Sequence, residues 1–285
     1  MTGTRARRLQ CTVLGPLVAF AAIVIVAGQL LHVPVNWEQW RPATCMPGAC
    51  FCEVIRGGTV RQVANTWSSL AFVLVAFWVL GIALCDRNAS KISNGAGSLD
   101  GMRRTRGPSV MSARPVYPVV FAFALCVVGL GSAFYHASLT FAGQFVDVFG
   151  MYLIGTFVLV YNVGRLRPMT DSVAVGAYLL LNVVLATALY AVPVLRRYAF
   201  AVVLLAALAV EYRVGRRDGT QSDVRYLVGA LAALVAAFAV WVLDITRVVC
   251  QAESVVQGHA VWHMLGAVAC GGVFAYYRSE GPGGK

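Results

Sequence analysis

Apolar residues gather along the chain into eight long runs that are separated by shorter polar stretches. A run of about 20 apolar residues forms a helix long enough to cross the hydrocarbon core of a bilayer. In lipid, only helices and closed barrels satisfy every backbone polar group. The pattern therefore predicts an all-α integral membrane protein with eight transmembrane helices, near residues 15–31, 66–85, 117–137, 141–163, 172–193, 197–212, 225–246 and 257–277.

Composition agrees with this pattern. Hydrophobic residues make up 59% of the chain and charged residues only 12%, which is far from the average of soluble domains. The net charge of +11 comes mostly from basic residues in the stretches between apolar runs. Orientation in a membrane explains such charges better than binding to nucleic acid, and we expect no nucleic-acid partner.

The runs also divide the chain. Residues 1–35 contain a basic start and an additional transmembrane or signal-anchor helix, and no convincing small-residue cleavage site follows that helix. Residues 36–64 form a segment that contains cysteines, residues 65–278 hold the other seven helices, and residues 279–285 are a tail. The stretch from about Asp86 to Pro115 is rich in Gly, Ser and Arg and predicts a loop, so no soluble domain is expected.

Basic residues predict the orientation of the helices. Four groups fall on one side of an eight-helix topology: Arg5, Arg7 and Arg8; Arg87, Lys91, Arg103, Arg104, Arg106 and Arg114; Arg165 and Arg167; and Arg213, Arg216 and Arg217. By the positive-inside rule this side is the cytoplasm, so both termini are cytoplasmic. Arg196 and Arg197, in a very short turn, are an exception on the opposite side.

Four of the eight cysteines fall on the predicted outer side: Cys45, Cys50, Cys52 and Cys250. An oxidising compartment permits disulfides there, but the spacing alone does not decide which cysteines pair. A thiolate zinc site at the first three is an alternative, although their spacing matches no common zinc motif. The remaining cysteines lie in or beside apolar runs and are expected to be core residues.

Histidines carry the strongest chemical signal. His259 and His263 are four residues apart, so they share one face of the last predicted helix and can bind one ion. His136 ends the third run on the same outer side. Three ligands with an open fourth position are typical of a catalytic zinc site. The fourth histidine, His32, is expected to be an ordinary interfacial residue.

Asp147 and Ser132 are predicted to lie at the same depth as the histidines. An ionisable residue within a membrane helix is costly and is a functional candidate. A serine in such a helix is often bonded to its own backbone, so Ser132 is weaker evidence. Asp244 has either a structural or a site role, and Glu211 is expected to be a solvated charge at a helix end.

Together these residues resemble the alkaline ceramidase family. The shared pattern is Ser132-x-x-x-His136, then Asp147 eleven residues later, then His259-x-x-x-His263. Three segments add to the resemblance: NTWSS at residues 65–69, QFVDVFGMY at 144–152, and the stretch from WVLD at 241–244 to Cys250. The family belongs to a superfamily of seven-span zinc hydrolases that includes the progestin and adipoQ receptors, and the resemblance covers about residues 50–277.

The resemblance implies a seven-helix bundle, preceded here by one additional helix, and an intramembrane Zn²⁺ held by His136, His259 and His263. Asp147 would hold and deprotonate the water on the zinc, and Ser132 would support the metal site and polarise the substrate carbonyl. The implied activity is hydrolysis of the amide of ceramide or a related N-acyl lipid to a free amine and a fatty acid, a step of sphingolipid metabolism. Zinc supplies suitable chemistry, because it polarises carbonyls and acidifies water.

Two other function classes are alternatives. The first is a receptor or sensor of the same superfamily with a structural zinc; the predicted outer position of the bundle's entry segment favours the ceramidase branch. The second is a proton or metal transporter, which needs ionisable residues through the depth of the membrane. The inner halves of the runs are almost purely apolar, and this argues against transport.

The resemblance also implies a disulfide between Cys52 and Cys250. The family's entry segment carries an acidic calcium-binding cluster, whereas only Glu53 is acidic at that place here, and Gln62 stands where a glutamate is expected. Because Ca²⁺ takes six to eight oxygen ligands, we expect no calcium site of that kind. Arg56 or Arg61 is a candidate partner for Glu53.

Overall fold

The computed structural model describes residues 2–46, 48, 50–95, 109–217 and 222–281. Within these residues, eight helices have the length and composition to cross a membrane, and each coincides with one of the eight apolar runs. The prediction of a multi-pass, all-helical membrane protein is confirmed. The helices are α1 (Thr2–Leu9 and Gly15–Leu31, joined by one π turn), α2 (Val63–Ser68 and Ala71–Gly95), α3 (Val116–Ser138), α4 (Phe141–Leu166), α5 (Asp171–Ala191), α6 (Arg196–Gly215), α7 (Val224–Ile245) and α8 (Gly258–Arg278).

Polar residues at the ends of the apolar runs set where the helices begin. Thr140 precedes α4 and accepts a hydrogen bond from the Gly143 N–H, and Asp223 caps α7 by accepting from the Arg225 N–H. Such caps satisfy N–H groups that have no partner within the helix. Between α3 and α4 the chain turns in two residues, because Leu139 adopts a left-handed conformation with φ of 51°. This tight turn makes α3 and α4 antiparallel neighbours.

Helix α2 is interrupted after its first turns, which the apolar pattern does not show. Residues 69 and 70 form a turn, and Leu70 and Phe72 make backbone bonds to residues three positions earlier. The hydroxyl of Ser69 donates to the Asn65 carbonyl at 2.7 Å, and such bonds often bend helices. The interruption places two serine hydroxyls beside the predicted metal site.

Glycines allow α3 and α4 to approach closely. A Cβ added at Gly150 would lie 2.7 Å from the Val128 nitrogen, and one added at Gly131 would lie 3.1 Å from the Asp147 nitrogen. No residue with a side chain fits at these positions without moving backbone. The contact brings the residues around Ser132 on α3 against those around Asp147 on α4.

Two extramembrane segments cover the end of the bundle that holds His136 and His259, called here the histidine end. The segment between α1 and α2 pairs with the α3–α4 turn through Ala43 N–H to Leu139 O and Arg61 N–H to Ala137 O. Disulfides join Cys45 to Cys50 and Cys52 to Cys250. The second links this segment to the loop between α7 and α8, and it is the pairing that the family resemblance implies. Because Cys45 and Cys50 are bonded to each other, a thiolate zinc site there is wrong.

At the opposite end, a buried polar cluster joins α4, α6 and α8. Arg165 forms ion pairs with Glu211 and with Glu280, and Glu211 also accepts a hydrogen bond from the Tyr276 hydroxyl at 2.6 Å. The prediction that Glu211 is a solvated charge is therefore wrong: its side chain is 9% exposed. The halves of the helices at this end were expected to be almost purely apolar, but they contain charges that pair between distant runs.

Candidate metal centre and cavity

His136 at the end of α3 meets His259 and His263 at the start of α8. All three side chains are buried, and one nitrogen of each lies within 4.8 Å of the others. The i,i+4 spacing on α8 brings the second and third rings to one face, with centroids 4.6 Å apart. The structure therefore places the three predicted ligands where they could hold a metal ion.

A glutamine sets the protonation of His136. The Oε1 of Gln62 lies 2.9 Å from Nδ1 of His136, and because this oxygen only accepts, Nδ1 carries the proton. The Nε2 atom then has a free lone pair, and it is buried without a hydrogen-bond partner. Buried polar atoms rarely lack partners, so this nitrogen is a fitting metal ligand.

Serines at the interruption of α2 act on His263 in the same way. Ser68 and Ser69 both donate their hydroxyl protons to the Asn65 carbonyl, so their oxygens accept from Nδ1–H of His263, at 2.9 and 3.3 Å. Nε2 of His263 then carries the lone pair, which accepts from the Ser132 hydroxyl at 3.2 Å. Hydrogen bonding of the second ring nitrogen is how proteins orient metal-binding histidines.

His259 is positioned through its backbone and by an aromatic ring. Asp244 accepts hydrogen bonds from the backbone N–H of His259 at 3.0 Å and of Cys52 at 3.1 Å, which gives it a structural role at the start of α8. The ring of Phe51 packs on the His259 ring with centroids 3.9 Å apart. Nδ1 of His259 is buried without a partner, so this histidine also presents an unused nitrogen.

Ser132 and Asp147 lie beside the histidines. The Ser132 Oγ is 3.2 Å from Nε2 of His263, and the same hydroxyl is a hydrogen-bonding neighbour of the Asp147 carboxylate. Asp147 is half-buried and faces a cavity. All five residues singled out in the sequence are thus together, with one serine between a histidine and a carboxylate.

Glu53 does not pair with an arginine as expected. Its carboxylate accepts the backbone N–H groups of Ala64 at 2.7 Å and Asn65 at 2.9 Å, and so caps the first turn of α2. Burial raises the pKa of Glu53, although these two hydrogen bonds act in the opposite direction. Arg56 pairs instead with Glu253 at 3.4 Å. The backbone carbonyl of Glu53 accepts from Gln62, and this connects the cap to His136.

A cavity of about 490 Å³ extends from the histidines toward the opposite end of the bundle. Its wall is mainly apolar and includes Phe121, Ile154 and Leu204, and its far end reaches Asn162 and Glu211. Residues 263 and 277 on α8 both line it, and at ~1.5 Å per residue they are about 21 Å apart along the helix. This is the shape of a site for a long apolar chain with its polar end at the histidines.

Comparison with known proteins gives the family of this chain. The family model described as Ceramidase matches residues 58–279, which is well over half of the chain. The chain belongs to the ceramidase family. A protein of Dictyostelium discoideum named "Putative alkaline ceramidase dcd3B" is 25% identical over 233 residues, covering 74% of this chain and 77% of that protein. The resemblance predicted from the residues is confirmed, and the family supports an amide hydrolase.

The residues that orient the histidines are not evident from the sequence. There, Gln62 stands only where an acidic ligand is expected, and the serines in NTWSS are only part of a motif. Phe51 gave no signal in the sequence, because an aromatic residue beside cysteines has many uses. Their roles depend on contacts between segments that are distant in the chain.

Proposed function

We propose that this member of the ceramidase family is an intramembrane, zinc-dependent amidohydrolase that cleaves ceramide or a related N-acyl lipid to a free amine and a fatty acid. One observation carries the proposal: three buried histidines bring one nitrogen each to within 4.8 Å of one another, beside Asp147 and at one end of a long apolar cavity. The family match supports the reaction class, and the donor set supports the metal.

His136, His259 and His263 would hold the ion. Three neutral imidazoles suit Zn²⁺ among the common metals, and a site with three protein ligands leaves a position for substrate or water. When bound, zinc polarises a carbonyl and lowers the pKa of water to about 7.

Asp147 is the proposed general base and acid. Its carboxylate lies next to Ser132 in the cavity wall, so it can accept a proton from the attacking water and then give it to the departing amine. Ser132 is proposed to support the metal site and to donate its single hydroxyl proton to the substrate carbonyl once the lone pair of His263 is used by the metal.

The apolar cavity is the proposed acyl-chain site. Phe121, Ile154 and Leu204 have no polar group to recognise a head group, so they bind a chain by excluding water. The amide is then held at the histidine end, and the amine portion of the lipid lies at the cavity mouth.

We further propose seven helices, α2 to α8, as the catalytic bundle, with α1 as an addition. The family match begins at residue 58, after α1, which supports this division. From the loop charges, both termini are cytoplasmic and the metal site lies in the extracytoplasmic half. Disulfides at the histidine end agree with an oxidising compartment on that side.

Metal content and hydrolysis test the proposal in one set of variants. The purified protein should contain about one zinc per chain, and His263→Ala should lose both zinc and activity because a site with two protein ligands binds weakly. Asp147→Asn should keep zinc but lose about 10²- to 10⁴-fold in kcat, the usual contribution of a general base. Inductively coupled plasma mass spectrometry and release of fatty acid from N-acyl lipids measure the two outcomes.

His32→Ala is the matched control, since His32 lies at the end of α1 and outside the metal cluster. It should retain zinc and activity. Full activity in Asp147→Asn would contradict the proposed mechanism. A protein that holds zinc but hydrolyses no lipid amide would favour the receptor or sensor function.

A further inference from the structure

Arg196 and Arg197 are the first two residues of helix α6, at the histidine end. They are the exception to the positive-inside distribution of the other basic groups. The first turn of a helix carries a positive partial charge, so two cations there are unfavourable. No acidic residue occupies this turn to offset them. The stability of α6 therefore does not explain the pair.

Both arginines line the cavity that contains the catalytic candidates. Arg196 is close enough to Asp147 for its charge to act on that carboxylate, and Arg197 acts similarly on His259. The pair thus lies in the cavity wall at the histidine end, where the amine portion of the substrate is placed.

Neither arginine is neutralised by a carboxylate within ion-pair distance, among the residues that the structure describes. Arg196 donates one N–H to the Pro193 carbonyl at 3.0 Å. Arg197 lies over the ring of Trp241, 5.2 Å from its centroid. A guanidinium on an aromatic ring keeps its N–H donors available in the plane. By contrast, the buried Arg165 has two carboxylate partners.

We propose that Arg196 and Arg197 bind an anionic group on the amine portion of the substrate, so that the preferred class is N-acyl lipids with a phosphate, sulfate or carboxylate head group. This inference rests on the proposed amidohydrolase function. The planar forks of arginine match such oxyanions in two-point hydrogen bonds. The acyl chain lies in the apolar cavity, the amide lies at the histidines, and the anion lies at the mouth.

The test compares an N-acyl sphingoid base with its phosphate ester, each with the same acyl chain, in micelles of a neutral detergent. Wild-type protein should prefer the phosphate ester by about tenfold or more in kcat/KM, as hydrogen bonds between charged groups imply. The double variant Arg196→Gln/Arg197→Gln should lose most of this preference, and Arg196→Lys/Arg197→Lys should retain part of it. Unaltered zinc content and Tm establish that the variants are folded.

Arg41→Gln is the matched control. Arg41 also lies over an aromatic ring at the histidine end, 4.0 Å from the centroid of Phe141, but it does not line the cavity. Its loss should leave the preference for the phosphate ester unchanged. Equal hydrolysis of both lipids by wild type, or a preference that survives the double variant, overturns the inference and leaves the proposed hydrolase standing.

If the protein hydrolyses no lipid, the proposed amidohydrolase function fails, and a binding experiment then tests the arginine site by itself. Trp241 and Trp262 lie at the cavity, so tryptophan fluorescence reports its occupation. A long-chain alkyl phosphate should bind about tenfold more tightly than the alcohol of equal length, and the double variant should remove the difference. Equal binding of the two overturns the inference, as does inorganic phosphate binding as tightly as the alkyl phosphate, which indicates a free-anion site instead.

Discussion

At the scale of single residues, the capacity of the three histidines to hold a metal ion depends on which nitrogen of each ring carries a proton. Gln62 and the paired serines of α2 accept from Nδ1 of His136 and His263, and this leaves the Nε2 lone pairs for a cation. The orienting groups lie outside the histidine helices. Each can therefore be changed without removing a ligand.

Gln62→Leu should lower zinc affinity by about 10- to 100-fold, the usual effect of removing a hydrogen bond to a metal-binding histidine. Without the Oε1 acceptor, His136 is free to rotate and to change tautomer. Competition with a fluorescent chelator measures the affinity. Gln62→Glu keeps an acceptor and should retain most of it.

Gln144→Leu is the control for Gln62→Leu, because Gln144 is equally buried at the histidine end but bonds to Thr44. This variant should change the stability of the protein without lowering its zinc affinity. If both leucine variants lost zinc equally, general loosening of this end would explain the effect, and the orienting role of Gln62 would be wrong.

At the scale of helices, the position of Asp147 depends on the close contact between α3 and α4. The contact needs glycine where the backbones nearly touch, and the turn at Leu139 keeps the two helices adjacent. Hydrophobic periodicity shows neither feature, because it reports how apolar a helix face is and not how near its neighbour comes.

Gly150→Ala should destabilise the protein by about 1–3 kcal/mol, the usual cost of overpacking, since the new Cβ meets the backbone of Val128. It should also lower activity, because Asp147 lies one turn away. Tm in detergent and fatty-acid release measure the two effects. Gly176→Ala on α5 is the control: a Cβ there meets nothing within 4 Å, so the variant should be as stable as wild type or slightly more stable. Equal losses in both variants would show that the close contact is not the cause.

At the scale of the whole molecule, polar groups close both ends of an otherwise apolar bundle. The histidine end is held by the entry segment and a disulfide between Cys52 and Cys250. The opposite end is held by Arg165, which forms ion pairs with Glu211 on α6 and with Glu280, just after α8. The long cavity lies between these two ends.

Arg165→Gln should destabilise the protein by about 3–5 kcal/mol, because it leaves two buried carboxylates without a cation. Burial already raises the pKa of Glu280, and loss of Arg165 raises it further. The folded variant then binds protons more readily than the unfolded chain, so its stability should improve as the pH falls. Thermal unfolding at pH 5 and pH 8 measures this. Arg167→Gln is the exposed control and should show neither effect; a pH-independent loss in Arg165→Gln would contradict the explanation.

The sequence by itself determined the number of membrane helices, since about 20 apolar residues leave the backbone no other way to cross lipid. It also determined the family and the histidine set, because an i,i+4 pair shares a helix face whatever the tertiary structure. Only the tertiary structure decided that Asp244 is structural, that Glu211 is buried, and that Gln62 and the serines orient the histidines. These roles arise from side chains that are distant in the chain and adjacent in space. A hydrophobic pattern along the chain contains no information about which distant residues come into contact. The two arginines of α6 illustrate both contributions. The sequence shows that their charges depart from the positive-inside rule, and the structure places them in the wall of the cavity, where we propose that they bind an anionic head group.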